Sequence, residues 1–137
     1  MAQGPRRSEN GFWIPAGARL SAVRGRGGVL EVGDGAELLA IEHGGGVVLG
    51  PRVRVGRVHA RSEIIVGPGC ATGPLRCEGR IAIQHGAKCG AIHAGGEVLL
   101  LGDCEVGDVE AGGDIIVVGS PRTGNLVPGG RVVSREY

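Results

Sequence analysis

Four histidines and four cysteines are the residues of this chain best suited to chemistry, and neither set is spaced for it. A zinc ion holds each ligand at about 2.1 Å, so two of its ligands stand within about 4.2 Å of one another. His59 and His93 fall at the same place in a periodic pattern, two periods apart. Stacked as strands they stand roughly 9.6 Å from each other. His43 and His85 fall at other places in the period. The histidines therefore read as solvated face and turn residues, and a zinc-dependent enzyme is a remote alternative. Cys70 and Cys104 share one position two periods apart, beyond the reach of a disulfide. Cys77 and Cys89 also take positions filled by small or aliphatic residues in neighbouring periods, so four buried free thiols are expected. The glycine-dense GPGCATG (67–73) lacks the Gly-Lys-Ser/Thr and the helix of a phosphate loop. No Ser, His, Asp set falls together on the repeat lattice. No catalytic residue, metal ligand or cofactor is assigned, and the chain reads as a non-enzyme.

The pattern behind those spacings is a 17-residue repeat. GRIAIQHGAKCGAIHAG (79–95) lies over GEVLLLGDCEVGDVEAG (96–112) without a gap, and the same frame runs from residue 28 to the partial GRVVSREY (130–137). Leu30, Val47, Ile64, Ile81, Val98, Ile115 and Val132 form one column, with Val32, Leu49, Val66, Ile83, Leu100 and Val117 two residues on. Each line holds three such i, i+2 pairs, the mark of a strand with one face buried. A line that cannot bury its own apolar face must stack on copies of itself. The fold expected is all-β, a three-sided β-solenoid of about six and a half coils over 28–137.

Corners support the triangle. Gly56, Gly73, Gly90, Gly107 and Gly124 fill one column, where a turn at positive φ is expected because glycine alone takes it without steric cost. A second glycine corner starts each line and a third, looser one follows the first strand. The 29 glycines of 137 residues are then structural punctuation, since the aliphatic columns supply a core that disordered glycine-rich chains lack. Residues 11–27 keep part of the frame, with Trp13 in the aliphatic column but Arg19 and Arg24 pointing inward. They read as a degenerate first coil or a lid, preceded by a flexible tail at 1–10.

The formal net charge of +1 gives no general attraction to nucleic acid, which is not expected as a partner. Residues 1–61 nevertheless carry nine Arg against five acids, and 62–137 five Arg and one Lys against nine acids, so the rod is electrically polar along its axis. No apolar run reaches the ~20 residues of a spanning helix and MAQGPRRSEN has no secretory h-region, so a cytoplasmic location is expected.

Two surfaces remain for function. Val48, Ile65, Leu99, Ile116 and Val133, with Ala82 among them, lie between inward residues and must face out as a lateral apolar stripe. Residues 11–27 or the tail folding back over it is the competing reading. Beside it Glu63, Arg80, Glu97, Asp114 and Arg131 form a ladder of mostly alternating charge. The two ends of a solenoid offer unpaired backbone and a slice of core unless capped. The strand pattern persists through Val132 and Val133, and Phe12, Trp13 and Ile14 stand at the other end. Trp13, Ile14, Val132, Val133 and Tyr137 are the expected polymer end contacts, and the partner expected is a further copy of the chain.

Lines such as RIAIQHGAKCGAIHA and EVLLLGDCEVGDVEA resemble the bactofilins, bacterial polymer-forming cytoskeletal proteins, over residues 28–133. That resemblance implies a right-handed β-helix and nucleotide-independent, non-polar filaments serving as a scaffold at membrane or cell wall. It further implies an apolar N-terminal membrane contact, for which Phe12, Trp13 and Ile14 are the matching residues. Tyr137 stands in for a phenylalanine common near the family's last coil, and the axial charge asymmetry favours head-to-tail stacking instead. AGGDIIVVGSPRTGNLVPGGRVV (111–133) is also similar to the C-terminal β-helix of the MinC division inhibitors. The alternative it implies is a small dimeric adaptor that binds a protein partner through one face.

Overall fold

The computed structural model describes residues 6–8 and 11–135, with side chains from Trp13 to Arg135. All regular structure in this range is β, and from Gly11 on the strands stack in parallel as a solenoid of seven coils, followed by the strand of an eighth. The coils are 11–28, 29–45, 46–62, 63–79, 80–96, 97–113 and 114–130.

Each coil opens with a four-residue strand, from Gly11–Ile14 and Val29–Val32 to Ile115–Val118 and finally Val132–Arg135. These strands pair in register, Leu30 with Val47, Val47 with Ile64, and so on to Ile115 with Val132. The other two sides begin as one seven-residue strand per coil, Arg19–Gly25, Glu37–His43 and Arg54–Ala60. From the fourth coil the strand splits at the corner. Its far half persists as Leu75–Cys77, Ile92–Ala94, Val109–Ala111 and Leu126–Pro128. The near half thins to Ala71–Thr72 and then to single bridges, Ala71 to Lys88, Lys88 to Glu105, and Glu105 to Arg122. Pro74, just past the corner of the fourth coil, has no N–H to give the ladder.

The core is the aliphatic columns. Val47, Ile64, Ile81, Val98 and Ile115 are each 0% exposed. Removing such a side chain from water is worth about 1.5–3 kcal/mol, and the rod repeats that gain at every rung.

Three expectations need correction. The step from first to second coil is 18 residues, because three residues (26–28) cross the corner where the next coil uses two (44 and 45). Phe12 therefore pairs with Leu30, and Trp13 pairs with Glu31 on the outer face. Arg19 and Arg24 consequently point outward, at 3.5 Å from Glu37 and 3.3 Å from Glu42. Residues 11–27 are a turn of the stack and not a cover over its side.

The second correction concerns the glycine corner. None of Gly56, Gly73, Gly90, Gly107 and Gly124 has positive φ. Glycine is needed there because the coil below comes too close: a Cβ on Gly90 would stand 3.0 Å from the carbonyl carbon of Gly73, and one on Gly73 would overlap the Gly56 carbonyl oxygen. Apart from Gly28, positive φ belongs to the looser corner, as at Gly35, Gly69 and Gly86, and there Arg52 takes the strained conformation at φ 56° while ion-paired to Asp34.

The third is His43, which is buried rather than solvated at 5% exposure. It occupies the inward column of Ala60, Cys77, Ala94 and Ala111, and the missing side chain of its ladder partner Gly25 leaves room for the ring. Nε2 bonds the Gly28 carbonyl at 3.1 Å, and Nδ1 has no partner.

Candidate functional site

Among the described residues no three of His, Cys, Asp and Glu gather as metal ligands would. His59 and His93 stand in one ladder with Arg76 between them. His93 turns its Nδ1 to Glu110 at 3.3 Å. The thiols are free. Cys70, Cys77 and Cys104 are buried and Cys89 is half-buried, and burial pushes all four thiols above their usual range, Cys89 to about 11. The thiolate is the nucleophile, so these groups are held in their unreactive form.

The assembly surfaces are better defined. At the C-terminal end the column that is 0% exposed at Ile115 becomes 46% exposed at Val132, because among the described residues no further coil lies over it. Leu126 and Val133 are half-buried, and Val127 is 57% exposed. Both edge strands here, Leu126–Pro128 and Val132–Arg135, have one side unpaired among the described residues. Val132 and Val133 thus lie on an open slice of core, and Tyr137 lies outside the described residues.

At the N-terminal end the slice is closed on the first side only, and the edge of the second sheet stays open. Ile14 and Ala18 are 1% exposed and Val23 5%. The strand Arg6–Ser8 runs antiparallel to Gly11–Ile14, Arg6 opposite Trp13 and Ser8 opposite Gly11, so the parallel ladder of the first side stops in a reversal. Among the described residues the edge strand Arg19–Gly25 of the second sheet has no such neighbour. Of the FWI segment, Trp13 is 37% exposed and Ile14 is a core residue, while the Phe12 side chain lies outside the described ones.

The lateral stripe is a continuous ladder. Val48, Ile65, Ala82, Leu99, Ile116 and Val133 pair rung to rung and all are half-buried. Leu101 and Val118, paired two residues further along, widen it in the sixth and seventh coils. Those two were not singled out from sequence, although the alternation beyond Leu99 and Ile116 carries the signal. Along the stripe's margin Arg80 bridges Glu63 at 3.1 Å and Glu97 at 3.7 Å. These exposed pairs fix neighbouring rungs and are worth under about 1 kcal/mol each. No family model matches this chain, and no curated protein or solved structure does either.

Proposed function

We propose that this protein is a non-enzymatic scaffold of the bactofilin kind that assembles with copies of itself through its coil ends. The observation that carries the reading is the exposure of Val132, a core residue by column and a surface residue by position. A second coil stack set on that slice would bury it and pair the open edges of Leu126–Pro128 and Val132–Arg135. The apolar stripe from Val48 to Val133 then serves as a side surface for a protein or membrane partner.

Electron microscopy and sedimentation of the purified protein over a range of salt and concentration test the assembly. Elongated particles that lengthen with concentration support it, and a single monomeric or dimeric species throughout refutes it. Membrane attachment is tested separately by deleting residues 1–10, since residues 11–14 form the first strand of the stack. Retained filaments with lost vesicle binding assign the contact to the leader. Unchanged vesicle binding moves it to the stripe or to the exposed edge of Trp13.

A further inference from the structure

The charges on the second side of the solenoid are sorted by coil, and the sorting has a symmetry. This side carries Arg19, Glu37, Arg54, Ala71, Lys88, Glu105 and Arg122 in one outward ladder from the first coil to the seventh, with Arg19 at 3.5 Å from Glu37 and Arg122 at 3.7 Å from Glu105; the symmetry concerns the second coil to the seventh. The turn before it places Arg52 in the third coil and Asp103 in the sixth. Reversing the rod about the junction of the fourth and fifth coils exchanges third with sixth and second with seventh. Every third-coil cation on this side then meets an acid, Arg52 opposite Asp103 and Arg54 opposite Glu105, and Glu37 meets Arg122.

We infer that this side is the interface of an antiparallel dimer, with a second copy of the chain as its occupant. A two-fold axis lying in the interface along the strand direction keeps each ladder facing itself and reverses only the order of coils. The contact is therefore isologous, each complementary pair occurring twice. The middle of the face suits close approach, because Gly69, Ala71 and Gly86 are exposed and nothing longer than a methyl group stands on them. Lys88 arrives over Ala71, beside Glu105 of its own chain. Leu39, 71% exposed with no explanation inside one chain, comes over the side-chain-free corner at Gly124 of the second copy.

The same pattern argues against a polyanion or an anionic bilayer on this side. From the second coil to the seventh Asp34, Glu37, Asp103 and Glu105 balance Arg52, Arg54, Lys88 and Arg122, and Arg19 of the first coil adds one cation beside Glu37, so the face attracts its own reverse and not a uniform charge. Six coils of about 4.8 Å by about 18 Å of strand give roughly 500 Å² per copy, or about 1,000 Å² in total, the size of a weak and salt-sensitive interface.

Charge reversal tests the assignment. In a Val132→Arg background, which removes end stacking, sedimentation equilibrium is run on Arg54→Glu, on Glu105→Arg, and on the double variant, with circular dichroism as the check on folding. Each single reversal sets like charges face to face twice and weakens the dimer at least about tenfold, while the double variant restores it to within about threefold. Raising salt from about 0.05 to 0.5 M weakens the wild-type dimer and the double variant alike. A monomer at all concentrations overturns the proposal. So does a dimer that ignores both reversals but falls apart on Leu99→Glu, which would place the contact on the apolar stripe, or a monomer that sediments with anionic vesicles.

Discussion

At one end of the rod Ile14 is 1% exposed, and at the other Val132, in the neighbouring inward column, is 46% exposed. Both are aliphatic residues in four-residue strands of the same sheet. What differs is the neighbour on the outer side, an antiparallel strand at Gly11–Ile14 and none among the described residues at Val132–Arg135. In a solenoid a coil does not complete its own burial; the next coil does. An end is thus as closed as whatever lies against it, and among the described residues the C-terminal end has both sheet edges open where the N-terminal end has one.

The largest effect expected belongs to neither end. Gly73→Val drives a side chain into the Gly56 carbonyl and is expected to cost more than about 4 kcal/mol or prevent folding, whereas Gly27→Val, with nothing within 4 Å of the added Cβ, is expected to cost far less. Urea unfolding of the two variants measures the difference, and equal losses would break the claim that backbone clearance holds the corner. Next come the ends themselves. Ile14→Ala is expected to cost about 2–4 kcal/mol and Val132→Ala less than about 0.5 kcal/mol under conditions where the chain is unassembled. Similar costs would mean the two ends are equally covered.

Alkaline pH sharpens the contrast from the interior. Cys89 is raised by burial to about 11 from an ordinary thiol value of 9.0, so the folded state holds a proton that the unfolded state gives up first. Its contribution to stability is complete below pH 9 and is lost as the pH rises toward 11. Cys89→Ala flattens that part of the stability profile measured by urea titration at stepped pH, and an unchanged profile removes the assignment. The smallest effect is Arg80→Ala. Its two exposed ion pairs contribute less than about 1 kcal/mol together, and their loss is expected to shift the melting temperature only slightly.

The repeat was legible because each coil must supply the same aliphatics to the same columns, and a 17-residue frame from Leu30 to Val132 leaves no freedom in register. The first coil was misread by one residue because glycines at 27 and 28 make a corner of any length look alike in sequence. His43 was misplaced for a related reason. Whether an imidazole fits an inward column depends on what lies beneath it, and Gly25 empties that space only once the 18-residue step is known. The corner glycines were found, but their reason was not, since overlap with the coil below is a property of stacking rather than of local conformation. The reversal at Arg6–Ser8 has no periodic signal at all, being three residues outside the frame.

Electron microscopy with sedimentation of the wild type beside Val132→Arg tests the central claim most directly. The account predicts that the wild type elongates with concentration, while the variant keeps its melting temperature and yields only short discrete particles, because an arginine on the open slice would bury an unpaired charge at the junction. Particles of equal length from both proteins would contradict it.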